Sequence, residues 1–297
     1  MKQILSKLLS FAGYEISKTP NQNDVDLYLK LFGEDSVNNR CFYNICVGGH
    51  WGFGGGFHHP CWTNVDLLKK NSREFNPEKD IAHDLLSLDS LPIQSQSAEL
   101  VYSQYTIEHI PNNAVLRMFK EVNRILKDKG VFRIVTPNIE LDYIAYMNKD
   151  ISFYEWIDYF SQPHIYENHG YKSPLNQSSF EQIFLSHFAT NASTLHREGG
   201  HKRVSDEELI DVFNTMSLED ALDHCTSRCS VEVQKRFRQN HMNWWSHSKL
   251  DKMLNEAGFK SVYHLIPGQS SSPVMRNNAY FERNWNCVAM VVEAVKY

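Results

Sequence analysis

Fifteen residues constrain this chain more than any other stretch: Tyr43-Asn-Ile-Cys-Val-Gly-Gly-His-Trp-Gly-Phe-Gly-Gly-Gly-Phe57. A short apolar run enters it, and six glycines fall between Gly48 and Gly56. Trp62-Thr-Asn-Val-Asp66 follows, a second apolar run that ends on a carboxylate. A strand, a glycine loop and an acidic strand end together form the crevice in which an open α/β sheet holds a nucleotide-like ligand. Glycine lets the backbone come close to the ligand, and the carboxylate accepts hydrogen bonds from a ribose diol. Asp66 lies 18 residues beyond Gly48 (66 − 48), near the roughly 20-residue offset of such an acid.

The 297 residues, 42% hydrophobic and 12% aromatic, suffice for one large domain, or one and a half, around a sizeable core. A net charge of -5 argues against a polyanion-binding face, so no nucleic-acid partner is expected. Six scattered cysteines (Cys41, Cys46, Cys61, Cys225, Cys229 and Cys287) fit a reducing cytoplasm better than a disulfide scaffold. No apolar run is long enough for a transmembrane helix. The first residues do not read as a signal peptide, because Lys7 breaks the apolar run and no small-residue cleavage site follows. Ile4, Leu5, Leu8, Leu9 and Phe11 share one helical face, which predicts a packed helix, with a weak membrane-surface contact as the alternative.

Continuous or alternating apolar runs predict strands over 41–47, 62–67, 81–84, 98–103 and 131–136. A short helix is expected over 25–32, closed by Gly33, and a strongly amphipathic one over 114–126. From 143 to 243 the chain turns aromatic and histidine-rich, with short helical patterns and no strand rhythm. A helix over 248–257 and strands over 259–266 and 287–295 then restore sheet character. The expected organisation is a helical extension over 1–40, a sheet domain from 41–142 and 244–297, and a helical insertion over 143–243 that covers the acceptor site.

In this order the segments resemble a class I S-adenosylmethionine-dependent methyltransferase of the type-11 kind, over roughly 41–137 and 244–295. Asn44-Ile-Cys-Val-Gly-Gly49 leading to Asn64-Val-Asp-Leu67 is similar to the family's glycine loop and ribose-binding acid. His83-Asp-Leu-Leu86 is similar to its adenine-binding segment. Two further pieces complete the order: the 91–110 stretch with Glu108-His109, and Glu121-Val-Asn-Arg-Ile-Leu-Lys-Asp-Lys-Gly-Val-Phe-Arg-Ile-Val-Thr-Pro137. The helix ending in Glu-Ala-Gly-Phe259 also matches.

The resemblance implies an α/β fold: a Rossmann-like, mostly parallel seven-stranded methyltransferase sheet with a helical insertion. It implies S-adenosylmethionine as cofactor. The backbone of Val47, Gly48 and Gly49 is expected at the methionine moiety and Asp66 at the ribose. Asp84 is expected at the adenine amino group, Leu67 and Leu85 across the ring, and Ser103 and Gln104 at the neighbouring strand end. Cys46 departs from the pattern, standing where the family usually has glycine; its Cβ is expected to crowd the loop unless the backbone moves. A nicotinamide enzyme is disfavoured, since no Gly-x-Gly-x-x-Gly precedes a helix.

Methyl transfer from a sulfonium needs the acceptor held in line at ~3–3.5 Å, and a hydroxyl acceptor is helped by a general base. His109, His201 and His241 are the candidates, with His196 beside them in the insertion. His224-Cys225-x-x-x-Cys229 brings metal-ligand types together, but no second pair matches it, so it reads as a helix and no metal is assigned. Arg197, Lys202 and Arg203 form a local basic cluster suited to an anionic group, or simply a solvated loop.

The expected function is methylation of a small or glycosylated acceptor in the cytoplasm. A sugar or nucleotide-sugar hydroxyl in surface-polysaccharide biosynthesis is the specific expectation, because Leu8-Leu-Ser-Phe-Ala-Gly-Tyr-Glu-Ile16 resembles the start of some bacterial enzymes of that kind. The alternative is a non-catalytic methyltransferase-fold binding or regulatory protein.

Overall fold

A computed structural model describes residues 24–46, 57–67, 76, 78–198, 202–282 and 287–297. Its frame is a seven-stranded sheet in the order β3-β2-β1-β4-β5-β7-β6. The strands are β1 (Phe42–Ile45), β2 (Trp62–Asp66), β3 (Ile81–Ala82), β4 (Ala98–Gln104), β5 (Leu126–Pro137), β6 (Ser261–Leu265) and β7 (Ala289–Val295). β1 to β5 run parallel. β7 is antiparallel to both β5 and β6. This is the mostly parallel, Rossmann-like methyltransferase sheet that the segment order implies.

Side-chain alternation assigns the two faces of the sheet. Val101, Phe132 and Ile134 point to a core shared with α2 (Asn112–Ile125) and with α10 (His247–Glu256). α2 buries Ala114, Val115, Met118, Phe119, Val122 and Ile125, the i, i+3, i+4 stripe of an amphipathic helix. Leu100, Tyr102, Val131 and Val135 point the other way, to α1 (Val25–Asn38) and to Val274, Met275 and Phe281. The opposite face also holds Arg133, fully buried between Glu282 and Glu293.

Three of the differences from expectation have a local cause. α1 continues beyond residue 32, because Gly33 absorbs a kink at φ 79, ψ 167 and the helix resumes. β5 begins at Leu126, directly after α2, through a register shift opposite Ala98–Leu100. Gly130 makes this tight entry fit: a Cβ there would stand 2.8 Å from the Lys127 carbonyl oxygen. β3 shortens to two residues, since Asp84 turns to cap the following 3-10 turn.

Between β5 and α10 the described chain is helical. It runs through α3 (Ile139–Met147), α4 (Ile157–Phe160), α5 (Pro163–Asn168), α6 (Phe180–Ser186), α7 (Asp206–Thr215), α8 (Leu218–Thr226) and α9 (Val231–Arg236). Two isolated bridges, Tyr171 with His196 and Ser193 with Val204, are its only β pairings among the described residues. Ser or Asn side chains cap α3, α6, α7, α8 and α9, which lets such short helices hold their ends. No helix among the described residues is long and apolar enough to cross a membrane.

Candidate active site

The parallel strands place their carboxyl ends side by side. At the end of β1, Asn44 donates to Asn64 on β2 across 3.0 Å, pinning the two strands in register. Cys46 follows with φ 63, and its N–H donates to the Val65 carbonyl. A left-handed conformation costs a non-glycine residue about 1–2 kcal/mol, so the family's glycine at this point has a backbone reason. The chain meets the expected crowding by adopting the glycine-like conformation with cysteine.

Asp66 stands half-buried at the end of β2, one carboxylate oxygen accepting from its neighbour's N–H on Leu67 at 2.6 Å. Asp84, one strand further out, accepts from Leu86 N–H at 3.0 Å and faces Arg238 at 3.7 Å. Leu85 beside it packs on the core, and Leu67 is half-exposed. Two accessible carboxylates on adjacent strand ends, next to apolar side chains, suit a ribose diol and an adenine amino group. Ser103 is buried, and its hydroxyl donates to the Ile45 carbonyl, so it shapes the strand end from within. Gln104 accepts from the Tyr102 hydroxyl at 2.8 Å. Val47, Gly48, Gly49 and His201 lie outside the described residues.

A cavity of about 120 Å³ opens beyond the end of β4. Tyr105, Glu108 and His109 come from the β4 exit; Trp156, His187 and His241 come from the helical segment. What brings these together is a short seam of hydrogen bonds. Met242 N–H donates to the Glu108 carbonyl, and the Asn243 amide donates to Ile110 and Asn112. Residues 240–243 therefore run alongside 108–112, and His241 stacks edge-on to His109 at 4.7 Å between ring centres.

The same seam sets the histidine tautomers. Nδ1 of His109 lies 3.0 Å from the Asn240 carbonyl oxygen, and Nδ1 of His241 lies 2.5 Å from that of His187. A carbonyl only accepts, so both Nδ1 atoms carry the proton and both Nε2 atoms offer a lone pair. Burial pushes His109 down to about 4 and His241 well below the usual histidine range. Burial also pushes the Glu108 carboxyl up to about 8. Its Oε2 accepts from Thr136 at 3.2 Å, while its buried Oε1 has no hydrogen-bond partner.

His187 is held differently. Its Nδ1 lies 2.7 Å from Asp142, a carboxylate that is 1% exposed. Trp156 stacks on the ring at 4.6 Å. Burial raises the Asp142 carboxyl, and the adjacent His187 draws it back down. A carboxylate on Nδ1 orients the imidazole, leaves Nε2 as acceptor, and stabilises the imidazolium that forms on proton uptake.

Of the expected catalytic histidines, the structure brings His109 and His241 together. Neither His187 nor Asp142 was legible in the sequence, and Glu108 showed only as the neighbour of His109. Asp142 and His187 are 45 residues apart, one on α3 and the other just past the end of α6, with no motif to pair them. His224 binds Glu208 at 2.8 Å and Cys225 is sealed in the helical core, in keeping with the helix reading. Arg197 lies over the Phe237 ring, and His196 is buried against Asn240.

Residues 54–134 match the family described as a methyltransferase domain. No curated protein matches the chain. Among solved structures, a Mesorhizobium loti S-adenosylmethionine-dependent methyltransferase is 13% identical, covering 86% of this chain and 90% of that one, with a TM-score of 0.36. Human N-acetylserotonin methyltransferase in complex with S-adenosylmethionine is 10% identical, covering 97% and 61%, with a TM-score of 0.35. The methyltransferase SibL is 12% identical, covering 86% and 50%, with a TM-score of 0.33. This chain thus spans half of SibL's length and 61% of the human enzyme's. At such scores these likenesses carry no argument; the family match and the sheet order do. Together they make 54–134, with the sheet around it, similar to a methyltransferase domain of the type-11 kind, for which the resemblance implies S-adenosylmethionine as cofactor.

Proposed function

We propose that this protein transfers a methyl group from S-adenosylmethionine to a hydroxyl of a small acceptor held in the cavity beyond β4. The observation that carries the reading is the Asp142–His187 pair, whose histidine lines that cavity. When bound, the cofactor supplies a sulfonium methyl group that is lost by displacement, leaving a thioether. Asp66 and Asp84 hold its ribose and adenine, with Leu67 and Leu85 against the ring. Val47, Gly48 and Gly49 receive the methionine moiety, and Gln104 lies at the neighbouring strand end. His187 takes the hydroxyl proton on Nε2 as the acceptor oxygen attacks, and Asp142 stabilises the resulting imidazolium. Trp156 and Tyr105 wall the cavity and exclude water around the reacting atoms.

The helices over 143–243 act as the cover of the acceptor site, on a sheet domain of 41–142 and 244–297 preceded by an extension over 1–40. A cavity of about 120 Å³ suits one ring of a small or glycosylated acceptor. A sugar or nucleotide-sugar hydroxyl in cytoplasmic surface-polysaccharide biosynthesis is the specific form of this proposal, supported by the N-terminal resemblance alone. The test is a structure with S-adenosylhomocysteine bound. The expected result is the adenosine over Asp66 and Asp84, with the sulfur facing His187 across the cavity. A sulfur turned away from the cavity, with adenosine elsewhere, overturns it.

A further inference from the structure

Glu108, His109 and His241 each present one ligand atom, and these atoms all lie within 4.8 Å of one another. The His109 Nε2 to Glu108 Oε1 distance is 3.9 Å. Three further observations make this more than a crowd of polar groups. Both imidazoles donate Nδ1–H to backbone carbonyls, the outer hydrogen bond that fixes ring and tautomer in metal-ligating histidines. Glu108 is 1% exposed and its Oε1 has no hydrogen-bond partner, an arrangement that costs free energy unless something fills it. The two histidines also come from segments 132 residues apart (241 − 109) that the 240–243 seam holds in contact.

We propose that Glu108, His109 and His241 bind one divalent first-row transition ion at the wall of the cavity. Two neutral imidazoles and a carboxylate favour zinc, iron(II), cobalt or nickel over magnesium or calcium, which prefer all-oxygen shells. Bond lengths of about 2.0–2.2 Å require the side chains to close inward by roughly an ångström, within the reach of small χ adjustments on a fixed backbone. Three protein ligands leave positions open toward the cavity. There the ion holds an acceptor oxygen and lowers its pKa, beside the His187 ring at 5.4 Å from His241. This last role rests on the methyl-transfer reading; the binding itself does not.

The test uses the full chain, stripped of metal with chelator and titrated with Zn²⁺ by calorimetry and with Co²⁺ by visible absorption. One equivalent is expected, with d–d bands of a nitrogen- and oxygen-ligated cobalt ion. His241→Ala and Glu108→Gln, which keep all six cysteines, are expected to weaken Zn²⁺ binding by more than the roughly 10–100-fold that loss of an outer partner costs. Parallel S-adenosylhomocysteine titrations report the cofactor site separately, so loss of one binding event without the other tells which reading failed. No stoichiometric Zn²⁺ binding in the wild type overturns the proposal, as does unchanged binding in either variant. Should the variants not fold, the wild-type spectrum decides alone: a sulfur-to-cobalt charge-transfer band assigns the ion to cysteines and also overturns it.

Discussion

Two polar clusters sit on this sheet, and they are built to opposite ends. Around Arg133 every polar atom is engaged. Its Nε and Nη2 donate to Glu282 at 2.7 and 2.9 Å, and its Nη1 donates to Glu293 at 2.7 Å. Glu293 accepts further from Ser270 and from both the amide and hydroxyl of Ser271, while Glu282 accepts from Gly268. The Glu108 cluster is left open: Glu108 is buried, His109 and His241 are half-buried, Oε1 has no hydrogen-bond partner, and one ligand atom from each residue lies within 4.8 Å of the others. A saturated buried network fastens segments together; an unsaturated one is held in place by its neighbours for something it binds. The first ties residues 268–282 across β5 and β7. The second faces a cavity.

The sharpest way to break this comparison is at the open end. His187→Ala is expected to lower kcat by about 10²–10⁴-fold, the usual worth of a general base, with S-adenosylhomocysteine affinity unchanged. Rapid-quench methyl transfer in a hydroxyl-bearing acceptor screen checks it. A wild-type rate in that variant removes His187 from the chemistry. At the saturated end, Glu293→Ala leaves Arg133 paired with Glu282 but takes the acceptor from its Nη1 and from the Ser270 and Ser271 donors, and is expected to cost ~3–5 kcal/mol of stability, read by urea denaturation. Glu108→Gln is expected to change stability by less than about 1 kcal/mol, since Oε1 has no hydrogen bond to lose. Equal losses in both variants would erase the distinction between the clusters. Cys46→Gly is expected to make a change of similar size to that of Glu108→Gln, a gain of up to about 1 kcal/mol from relief of the left-handed backbone at φ 63. An unchanged midpoint would mean that the glycine's unfolded-state entropy offsets it.

The sheet was legible in the sequence because its strands are continuous apolar runs punctuated by carboxylates and glycines, and its mostly parallel, seven-stranded form followed from the family resemblance. The β5 entry was not, since a helix passing directly into a strand leaves no turn signal; only Gly130 marks it. Asp66 and Asp84 were readable because each ends an apolar run. The cavity was not. Glu108 and His109 were visible as a pair, but their partner His241 arrives through the backbone seam of residues 240–243, which no side-chain pattern announces. Asp142 and His187 meet only because α3 and α6 pack together. Arg133 and Glu293 each show as one charge inside an apolar strand, a hint that acquires meaning only from the register that sets them opposite one another.

The carboxyl ends of β1, β2 and β4 are proposed to hold S-adenosylmethionine through Asp66. Calorimetric titration of S-adenosylhomocysteine into the wild type and Asp66→Ala tests it most directly. The account predicts micromolar wild-type binding, about 8 kcal/mol, and a loss of roughly 10–100-fold in the variant, the worth of charge-assisted hydrogen bonds at ~1.5–3 kcal/mol. Wild-type binding no tighter than millimolar, or full affinity retained in Asp66→Ala, would contradict it.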